Sequence, residues 1–335
     1  MSLPVTLIPG DGIGPEVVAA AVEVIEASGA RIDWHRAAAG AGAVATHGTP
    51  IPQETLESIR KNRLALKGPL ATPIGEGFRS VNVALRKEFD LYANIRPARS
   101  FAGIETRFSN VDLIVIRENT QGMYSGVEHF VDEERSAAES ISIITRKGSE
   151  RVVEYAFKFA KQRGRRKVHL VHKANILKCT SGLFLEAGRM IAAKYPEITF
   201  KEIIVDNCAM QLVTKPEQFD VIVMTNLFGD ILSDLTSGLI GGLGLTAGAN
   251  IGATAAIFEA VHGTAPDLAG KGIANPTAVM LAGVQLLEHI GERSASEKLQ
   301  EAIREAIASR EAVTGDLGGT ATTRMFMHAV LKRLQ

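Results

Sequence analysis

The sequence has few of the residues that mark secreted, membrane or nucleic-acid-binding proteins. Its 335 residues include two cysteines, Cys179 and Cys208, too few for a disulfide framework, which favours a reducing compartment. Lys plus Arg and Asp plus Glu both number 37, so no excess charge indicates a nucleic-acid or acidic-membrane partner. No apolar run approaches the ~20 residues of a membrane span, and the first residues lack the basic region and cleavage site of a secretion signal. We therefore expect a cytoplasmic globular protein with no membrane or nucleic-acid partner.

Short apolar segments rich in β-branched residues alternate along the chain with segments of helical periodicity. This alternation is typical of an α/β fold, and the length suffices for one large or two medium domains. In such folds, ligands bind at the edge of the sheet where the parallel strands end. Residues that directly follow predicted strands are therefore the first candidates for function.

Two aspartates follow the predicted buried strand at 218–225. Asp230 and Asp234 lie four residues apart in a helical pattern, so they share one face of that helix. Either residue alone would be interpreted as a helix cap or a solvated acid of the first turn. Together, at the end of a buried strand, they predict a hard-cation site. Mg²⁺ binds one or two carboxylates and fills its other positions with water and substrate oxygens.

A glycine-rich turn, Gly10-Asp-Gly-Ile-Gly14, joins the first predicted strand to the first helix. It imitates the start of a Rossmann domain, even to an acid, Asp33, about 20 residues further on. The spacing differs from Gly-x-Gly-x-x-Gly, however, and Asp33 lies inside its predicted strand rather than at the strand's end. We interpret the glycines as a tight strand-to-helix turn that needs no ligand.

Basic side chains lie at the predicted ends of other elements. Arg96 follows the strand predicted at 90–95, Arg117 follows that at 111–116, and Arg86 ends a short polar stretch. Three such arginines favour bidentate capture of carboxylates, and a phosphate fits equally well. Lys173 follows the strand at 167–172 and is either a surface residue or a proton carrier whose pKa nearby cations depress. Asp206 is a third acid at a strand end.

Five motifs occur in one order across nearly the whole chain. They are the glycine turn extended to Glu16, Arg117-Glu-Asn-Thr120, His172-Lys-Ala-Asn175, Asn226–Leu235, and a glycine- and proline-rich loop at 262–276. Together they resemble the isocitrate and isopropylmalate dehydrogenases, a family of metal-dependent β-decarboxylating dehydrogenases. The resemblance implies an α/β fold that is not a Rossmann fold. It implies a large domain of 1–91 and 241–335 with the dinucleotide-binding loop, and a smaller central domain of 92–240 with the dimer contacts and the metal and catalytic residues.

The resemblance also assigns a role to each matching residue. The substrate ligands are Ser80, Asn82, Arg86, Arg96 and Arg117. The ligands of Mg²⁺ or Mn²⁺ are Asp206, Asp230 and Asp234. The NAD ligands are Ile13, Leu70, Thr72, His262, Gly263, Thr264, Ala265, Asp267, Leu268 and Asn275, with Leu70 and Thr72 near the nicotinamide. Tyr124 and Lys173 are the acid–base pair. Finally, the resemblance implies a homodimer whose active sites are shared between subunits.

The implied chemistry gives each part a task. Lys173 accepts the hydroxyl proton as hydride leaves the carbinol carbon. The metal polarises the new carbonyl and stabilises the enolate left by loss of CO₂. Tyr124 then protonates that enolate.

Two details within the motifs predict the substrate and the cofactor. The pattern Ser80-x-Asn82-x-x-x-Arg86 resembles the isocitrate-specific form. An apolar pocket for isopropylmalate would leave Asn82 unpaired, at a cost of ~1–3 kcal/mol. Asp267 can accept hydrogen bonds from the ribose hydroxyls of NAD, and it would repel the 2′-phosphate of NADP. We therefore expect NAD-dependent oxidative decarboxylation of isocitrate to 2-oxoglutarate and CO₂.

Several alternatives stay open. Homoisocitrate differs from isocitrate by one methylene, worth only ~1–3 kcal/mol in a pocket, so homoisocitrate dehydrogenase is the nearest rival and isopropylmalate dehydrogenase the next. A non-catalytic regulatory subunit would bind the same ligands, although each implied catalytic position here holds a competent residue. A sugar-phosphate-binding protein would use the arginines but would explain neither the three carboxylates nor Tyr124 and Lys173.

Overall fold

A computed structural model describes residues 2–72 and 80–335. The strands are β1 Leu3–Ile8, β2 Ile32–Arg36, β3 Leu64–Lys67, β4 Ala93–Arg99, β5 Asp112–Glu118, β6 Gly122–Phe130, β7 Ala138–Ile143, β8 Lys167–His172, β9 Thr199–Ile204, β10 Val221–Met224, β11 Ala247–Ile251 and β12 Ala256–Ala260. The helices are α1 Gly14–Ala27, α2 Ala41–His47, α3 Gln53–Asn62, α4 Val81–Glu88, α5 Arg146–Gln162, α6 Thr180–Ala192, α7 Val205–Thr214, α8 Asn226–Leu239, α9 Thr277–His289, α10 Arg293–Ala308 and α11 Thr323–Leu334. Within these ranges, no helix has the length and apolar character needed to cross a membrane.

The first compact unit comprises residues 1–85, 100–109 and 240–335. Its strands lie in the order β2-β1-β3-β12-β11, with β11 antiparallel to β12 and the others parallel. The strands β1, β3 and β12 are largely buried, as expected for parallel strands, and helices α1, α9, α10 and α11 pack against one another beside them. Because β1, β3 and β12 run in one direction, the loops that follow them leave the same edge of the sheet.

The second unit comprises residues 86–99 and 110–239. Its strands lie in the order β4-β5-β10-β8-β9, in which β4 is antiparallel to β5 and the remaining strands are parallel. The hairpin β6–β7 forms a separate two-stranded sheet. Helix α8 begins two residues after the fully buried β10 and contacts β4, β5 and β6. This contact places the acidic face of α8 over the strands that carry two of the arginines.

The predicted α/β architecture is confirmed, but the predicted ends of the strands at Arg96 and Arg117 are wrong. Arg96 lies inside β4 and Arg117 inside β5, rather than after these strands. Strand β4 continues through Pro97, opposite Ile114 of β5, although a proline has no backbone N–H to donate to a neighbouring strand. The units also divide differently from the expected domains, since Arg86 starts the second unit and 100–109 belongs to the first.

Candidate active site

Asp230 and Asp234 lie one turn apart on α8, in the second unit. The first hydrogen bond of the helix runs from the Gly229 N–H to the Thr225 carbonyl at 2.9 Å. Helix α8 buries Leu232 and neighbouring small polar residues, so the two carboxylates fall on a partly open face. The Asp230 side chain is 38% exposed and that of Asp234 is 56% exposed. Two oxygen donors at this spacing fit a hard cation.

Arg117 is the most deeply buried charge of the site, with 1% of the residue exposed. Its Nε and Nη2 donate to Asn226 Oδ1 at 3.0 and 2.7 Å, and its Nη1 donates to Asp230 Oδ1. Its aliphatic stem lies against the backbone of Gly229, where an added Cβ would overlap Arg117 Cγ. Helix α8 therefore needs a glycine at this position. Burial beside Arg86 and Arg96 lowers the pKa of Arg117 to about 10, so the guanidinium keeps its charge at neutral pH.

Arg96 is held by donors and acceptors from two elements. Its Nε donates to Asn94 Oδ1 at 2.7 Å, and its Nη1 donates to Ser233 Oγ at 2.7 Å and to Asp234 Oδ1 at 3.3 Å. Arg86 is also buried and lies close enough to lower the pKa of Arg117. The structure thus brings the three predicted arginines together with two of the predicted carboxylates, and positive charge is in excess.

Tyr124, on β6, belongs to the same cluster. Its hydroxyl donates to Asp230 Oδ2, and the Arg117 guanidinium lies 5.1 Å from the centre of its ring. Burial and the bond to Asp230 raise the pKa of Tyr124, so the phenol holds its proton at neutral pH. Burial raises the pKa of Asp230, but Arg117 and the Tyr124 hydroxyl offset it and the pKa falls overall. The pKa of Asp234 is raised by burial, despite Arg96.

Lys173 and Asp206 form a separate pair. Lys173 Nζ donates to Asp206 Oδ1, and this bond lowers the pKa of Asp206, whose side chain is 67% exposed. Within 2–72 and 80–335, no three His, Cys, Asp or Glu side chains are grouped so that they could hold a metal ion. Asp206 therefore does not join Asp230 and Asp234 within one chain.

A cavity of about 440 Å³ lies in the first unit. Its lining comprises Ile13, Gly244, His262, Leu268, Ile273, Ala274, Asn275, Gly315, Asp316, Thr320 and Ala321. Four of the predicted NAD ligands are among them, and Gly263, Thr264, Ala265 and the exposed Asp267 belong to the same loop. The buried His262 Nε2 has no hydrogen-bond partner among the described residues, and burial lowers the pKa of this histidine, which favours the neutral ring. A largely apolar cavity with an unsatisfied imidazole nitrogen suits a nucleotide base.

The predicted substrate residues Ser80 and Asn82 lie at the start of α4, and Thr72 contacts that helix from the loop after β3. The Thr72 hydroxyl accepts from the Val81 N–H at 3.3 Å, and the Ser80 hydroxyl accepts from the Val83 N–H at 3.4 Å. The Asn82 Oδ1 atom is buried and has no hydrogen-bond partner in the described part of the chain. Ser80 thus has a structural partner, whereas the Asn82 amide has an unused bonding position.

Sequence reasoning missed Asp316. This residue accepts from Asn275 Nδ2 at 2.9 Å and from Thr314 Oγ1 at 2.5 Å, and its place in the cavity wall is set by the turn at Gly315–Leu317. The glycines at 315, 318 and 319 indicate a turn, but nothing in the sequence connects that turn to the loop at 262–276, some 40 residues earlier.

Comparison with known proteins gives three informative similarities. The chain is 52% identical over 330 residues to "Isocitrate dehydrogenase [NAD] catalytic subunit 5, mitochondrial" of Arabidopsis thaliana, covering 98% of this chain and 88% of the relative. It is 51% identical over 304 residues to "3-isopropylmalate dehydrogenase, chloroplastic" of Solanum tuberosum, covering 90% and 85%. A crystal structure of isocitrate dehydrogenase from Methylococcus capsulatus matches it with a TM-score of 0.96 at 59% identity, covering 100% of this chain and 99% of that one.

The expected cytoplasmic location is wrong. It is contradicted by NAD isocitrate dehydrogenase relatives from plant, fly and yeasts, whose names describe them as mitochondrial. The expectation relied on cysteine content, which indicates a reducing environment without distinguishing one reducing compartment from another.

The family model named isocitrate/isopropylmalate dehydrogenase matches residues 4–330. The match confirms the predicted resemblance over nearly the whole chain, and the match to the solved structure confirms the predicted fold class. The chain therefore belongs to the isocitrate/isopropylmalate dehydrogenase family.

Proposed function

We propose that the chain catalyses the NAD-dependent oxidative decarboxylation of isocitrate to 2-oxoglutarate and CO₂, with Mg²⁺ or Mn²⁺. The observation that carries the proposal is the buried cluster of Arg86, Arg96 and Arg117 around Asp230. Buried guanidinium groups in excess of their carboxylate partners bind substrates that carry several carboxylates. The names of the NAD isocitrate dehydrogenase relatives support the same activity.

Substrate choice within the family is assigned to the start of α4. Overall identity does not separate the candidates, because an isopropylmalate dehydrogenase relative is 51% identical. Asn82 and Arg86 lie four residues apart on α4 and so share a face. The two ends of an amide are interchangeable by a flip, so the unsatisfied end of Asn82 can donate to a third carboxylate. An isopropyl group would leave it unpaired, at a cost of ~1–3 kcal/mol.

The cavity of the first unit is assigned to the adenosine half of NAD. Ile13 and Leu268 supply apolar surface, and His262 and Asn275 supply polar groups. Asp267 is exposed in the adjoining loop, where its carboxylate accepts from the ribose hydroxyls and repels a 2′-phosphate. Leu70 and Thr72, in the loop after β3, are assigned to the nicotinamide side.

The acid–base work is assigned to Lys173 and Tyr124. Lys173, as the neutral amine, accepts the proton of the substrate hydroxyl while a hydride passes to NAD from the carbon that carries this hydroxyl. After CO₂ is lost, Tyr124, whose raised pKa keeps it protonated, donates a proton to the enolate carbon. Asp230 and Asp234, with the partner subunit's Asp206, would hold the divalent metal. When bound, that ion withdraws electron density from the substrate oxygens during oxidation and decarboxylation.

A second copy of the chain is assigned to complete each site. In one chain, Asp206 and Lys173 form their own pair away from Asp230 and Asp234. Apolar side chains beside both groups are exposed, with Ile231 58% and Met210 52% exposed. A twofold dimer would cover this surface and bring the partner's Lys173 and Asp206 to α8.

A complementation experiment tests the shared site. Chains with Asp234→Asn and chains with Lys173→Met should each be inactive as homodimers. In their heterodimer, one site holds both lesions and the other holds neither, so activity returns to about half of the wild-type value per dimer. A purified heterodimer that binds NAD and stays inactive would show that Lys173 serves the metal of its own chain.

A substrate panel tests the activity. We expect kcat/KM with NAD and Mg²⁺ to be highest for isocitrate, lower for homoisocitrate and at least ~100-fold lower for isopropylmalate, since unpaired polar groups reject a substrate that lacks their partner. Asn82→Leu should narrow the ratio of isocitrate to isopropylmalate, and the exposed Asn110→Leu should leave it unchanged. A higher value for homoisocitrate or isopropylmalate would replace the proposed substrate.

A further inference from the structure

The segment after β1, residues 9–16, forms a turn and the first residues of α1, and it contacts both loops that carry the proposed NAD ligands of the first unit. The Asp11 N–H donates to the Pro69 carbonyl and the Ile13 N–H donates to the Thr264 carbonyl, both at 2.9 Å. Gly12 has a φ of +59°, and a Cβ there would overlap the Thr264 carbonyl oxygen. This glycine therefore permits contact between two backbone segments, rather than contact between the backbone and a phosphate.

The Asp11 carboxylate extends this contact to the loop after β3. It accepts from the Ala71 N–H at 2.8 Å, and also from the Ala41 and Gly42 N–H groups at 3.0 and 2.8 Å. The three hydrogen bonds from backbone N–H groups to this carboxylate are charge-assisted and therefore strong. Ala71 lies between Leu70 and Thr72, so Asp11 fixes the backbone of the residues assigned to the nicotinamide side.

The Glu16 carboxylate makes similar contacts with the loop at 262–276. It accepts from the Gly272 N–H at 3.2 Å, the Ala274 N–H at 3.1 Å and the Thr323 hydroxyl at 3.2 Å. Ala274 lines the 440 Å³ cavity and precedes Asn275, which lines it as well. Glu16 therefore fixes the backbone of the wall that is assigned to adenosine.

We propose that Asp11 and Glu16 are positioning residues for different halves of NAD, Asp11 for the nicotinamide half and Glu16 for the adenosine half. Neither carboxylate is assigned a contact with the cofactor. Each one holds a segment without regular secondary structure in its binding geometry, which removes part of the ordering cost of binding. The inference rests on the proposed NAD site and adds that each half of the cofactor has its own positioning residue.

Replacing each carboxylate with the amide of the same shape tests whether Asp11 and Glu16 serve different halves of NAD. An asparagine or glutamine presents an NH₂ group where the carboxylate accepted a bond, so at least one backbone donor loses its partner. We measure Kd values for NAD and for ADP by calorimetry on the purified chain. Asp11→Asn should weaken NAD about tenfold and leave ADP within twofold, whereas Glu16→Gln should weaken both about tenfold, the size expected for a lost bond to a charged acceptor. Glu23→Gln, an exposed acid on α1, is the matched control and should change neither.

Hydrogen exchange read by mass spectrometry gives a second measurement that does not depend on ligand. Asp11→Asn should speed exchange in a peptide that contains Ala71 and not in one that contains Gly272 and Ala274, and Glu16→Gln should do the reverse.

The outcomes separate two failures. If Asp11→Asn weakens ADP as much as NAD, or speeds exchange in both peptides, Asp11 supports the unit in general and the division is wrong. Variants that bind like wild type overturn the positioning role alone. A wild-type chain that binds neither NAD nor ADP overturns the proposed cofactor site, and this inference with it.

Discussion

The arginine cluster of the second unit and the cavity of the first unit use different physical means of recognition. In the cluster, charged side chains are buried and bonded to one another, as Arg117 is to Asp230 and Arg96 to Ser233. In the cavity, mostly apolar side chains form the wall, with a few polar ones such as His262 and Asn275. The carboxylates of Asp11 and Glu16, in the same unit, accept hydrogen bonds from backbone N–H groups. The first means suits a small polyanion, and the second suits a large, mostly uncharged nucleoside. Damage to one should therefore leave ligand binding by the other largely intact.

Metal removal should affect the arginine cluster and the cavity most differently. The ligands assigned to the ion, Asp230 and Asp234, lie in the arginine cluster, so chelation with EDTA should abolish turnover. The Kd for NAD, measured by calorimetry, should change less than twofold. Mg²⁺ or Mn²⁺ should restore turnover, and Zn²⁺ should not, because the donors are all oxygens. Full activity after chelation would show that turnover does not require a metal ion.

Gly229→Ala should give the next largest effect. The new Cβ would overlap the stem of Arg117, and overpacking of this kind costs ~1–3 kcal/mol. The displaced guanidinium should lower kcat/KM for isocitrate by about 100-fold, because small misplacement in a site is costly, while the Kd for NAD stays the same.

Gly238→Ala is the matched control on the same helix, since a Cβ there would meet no described atom within 4 Å. It should leave kcat/KM unchanged. Equal losses in the two variants would show that Gly229 affects the helix rather than the position of Arg117.

Asp267→Lys tests which residue sets the preference for NAD over NADP. Replacing a carboxylate that repels a 2′-phosphate with a cation should reduce the preference for NAD over NADP by about tenfold or more, measured as the ratio of kcat/KM values. The KM for isocitrate at saturating cofactor should be unchanged, because Asp267 belongs to the first unit's loop. A wild-type chain that uses NAD and NADP equally well would contradict the role of Asp267.

The smallest expected effect concerns stability rather than ligands. His169, on β8, is 5% exposed, and burial, followed by Lys167 and Lys201, lowers its pKa to about 4. The unfolded chain therefore binds a proton at His169 more tightly than the folded chain does. The free energy of unfolding keeps its full value above pH 6.5, and it falls by about 3 kcal/mol in total as the pH is lowered towards 4.

Urea unfolding at pH 7 and pH 4 measures this loss. His169→Gln should lose less stability between the two pH values than wild type, and the exposed His129→Gln should lose as much as wild type. Identical pH dependence in wild type and His169→Gln would show that His169 is not the acid-sensitive group of the second unit.

The same contrast explains what the sequence could predict. The arginines, Asp230 and Asp234 were recognised from their positions in the sequence pattern, although Arg96 and Arg117 were placed after their strands instead of inside them. The roles predicted for Tyr124 and Lys173 came from the family resemblance. Asp316 was not predicted, because only the fold brings it to Asn275. The positions of Asp11 and Glu16 were not predicted for a related reason. Most of their partners are backbone N–H groups 30 to more than 250 residues away, and no side-chain pattern encodes such contacts.

If the proposed function is right, this chain by itself oxidises and decarboxylates isocitrate. The most direct measurement uses the purified chain alone with isocitrate, NAD and Mg²⁺, and follows NADH by absorbance and CO₂ by isotope release from carboxyl-labelled substrate. The account predicts one CO₂ for each NADH, with 2-oxoglutarate as the product. A chain that binds isocitrate and NAD but forms neither NADH nor CO₂ would be a non-catalytic subunit, and the proposed roles of Lys173 and Tyr124 would be contradicted.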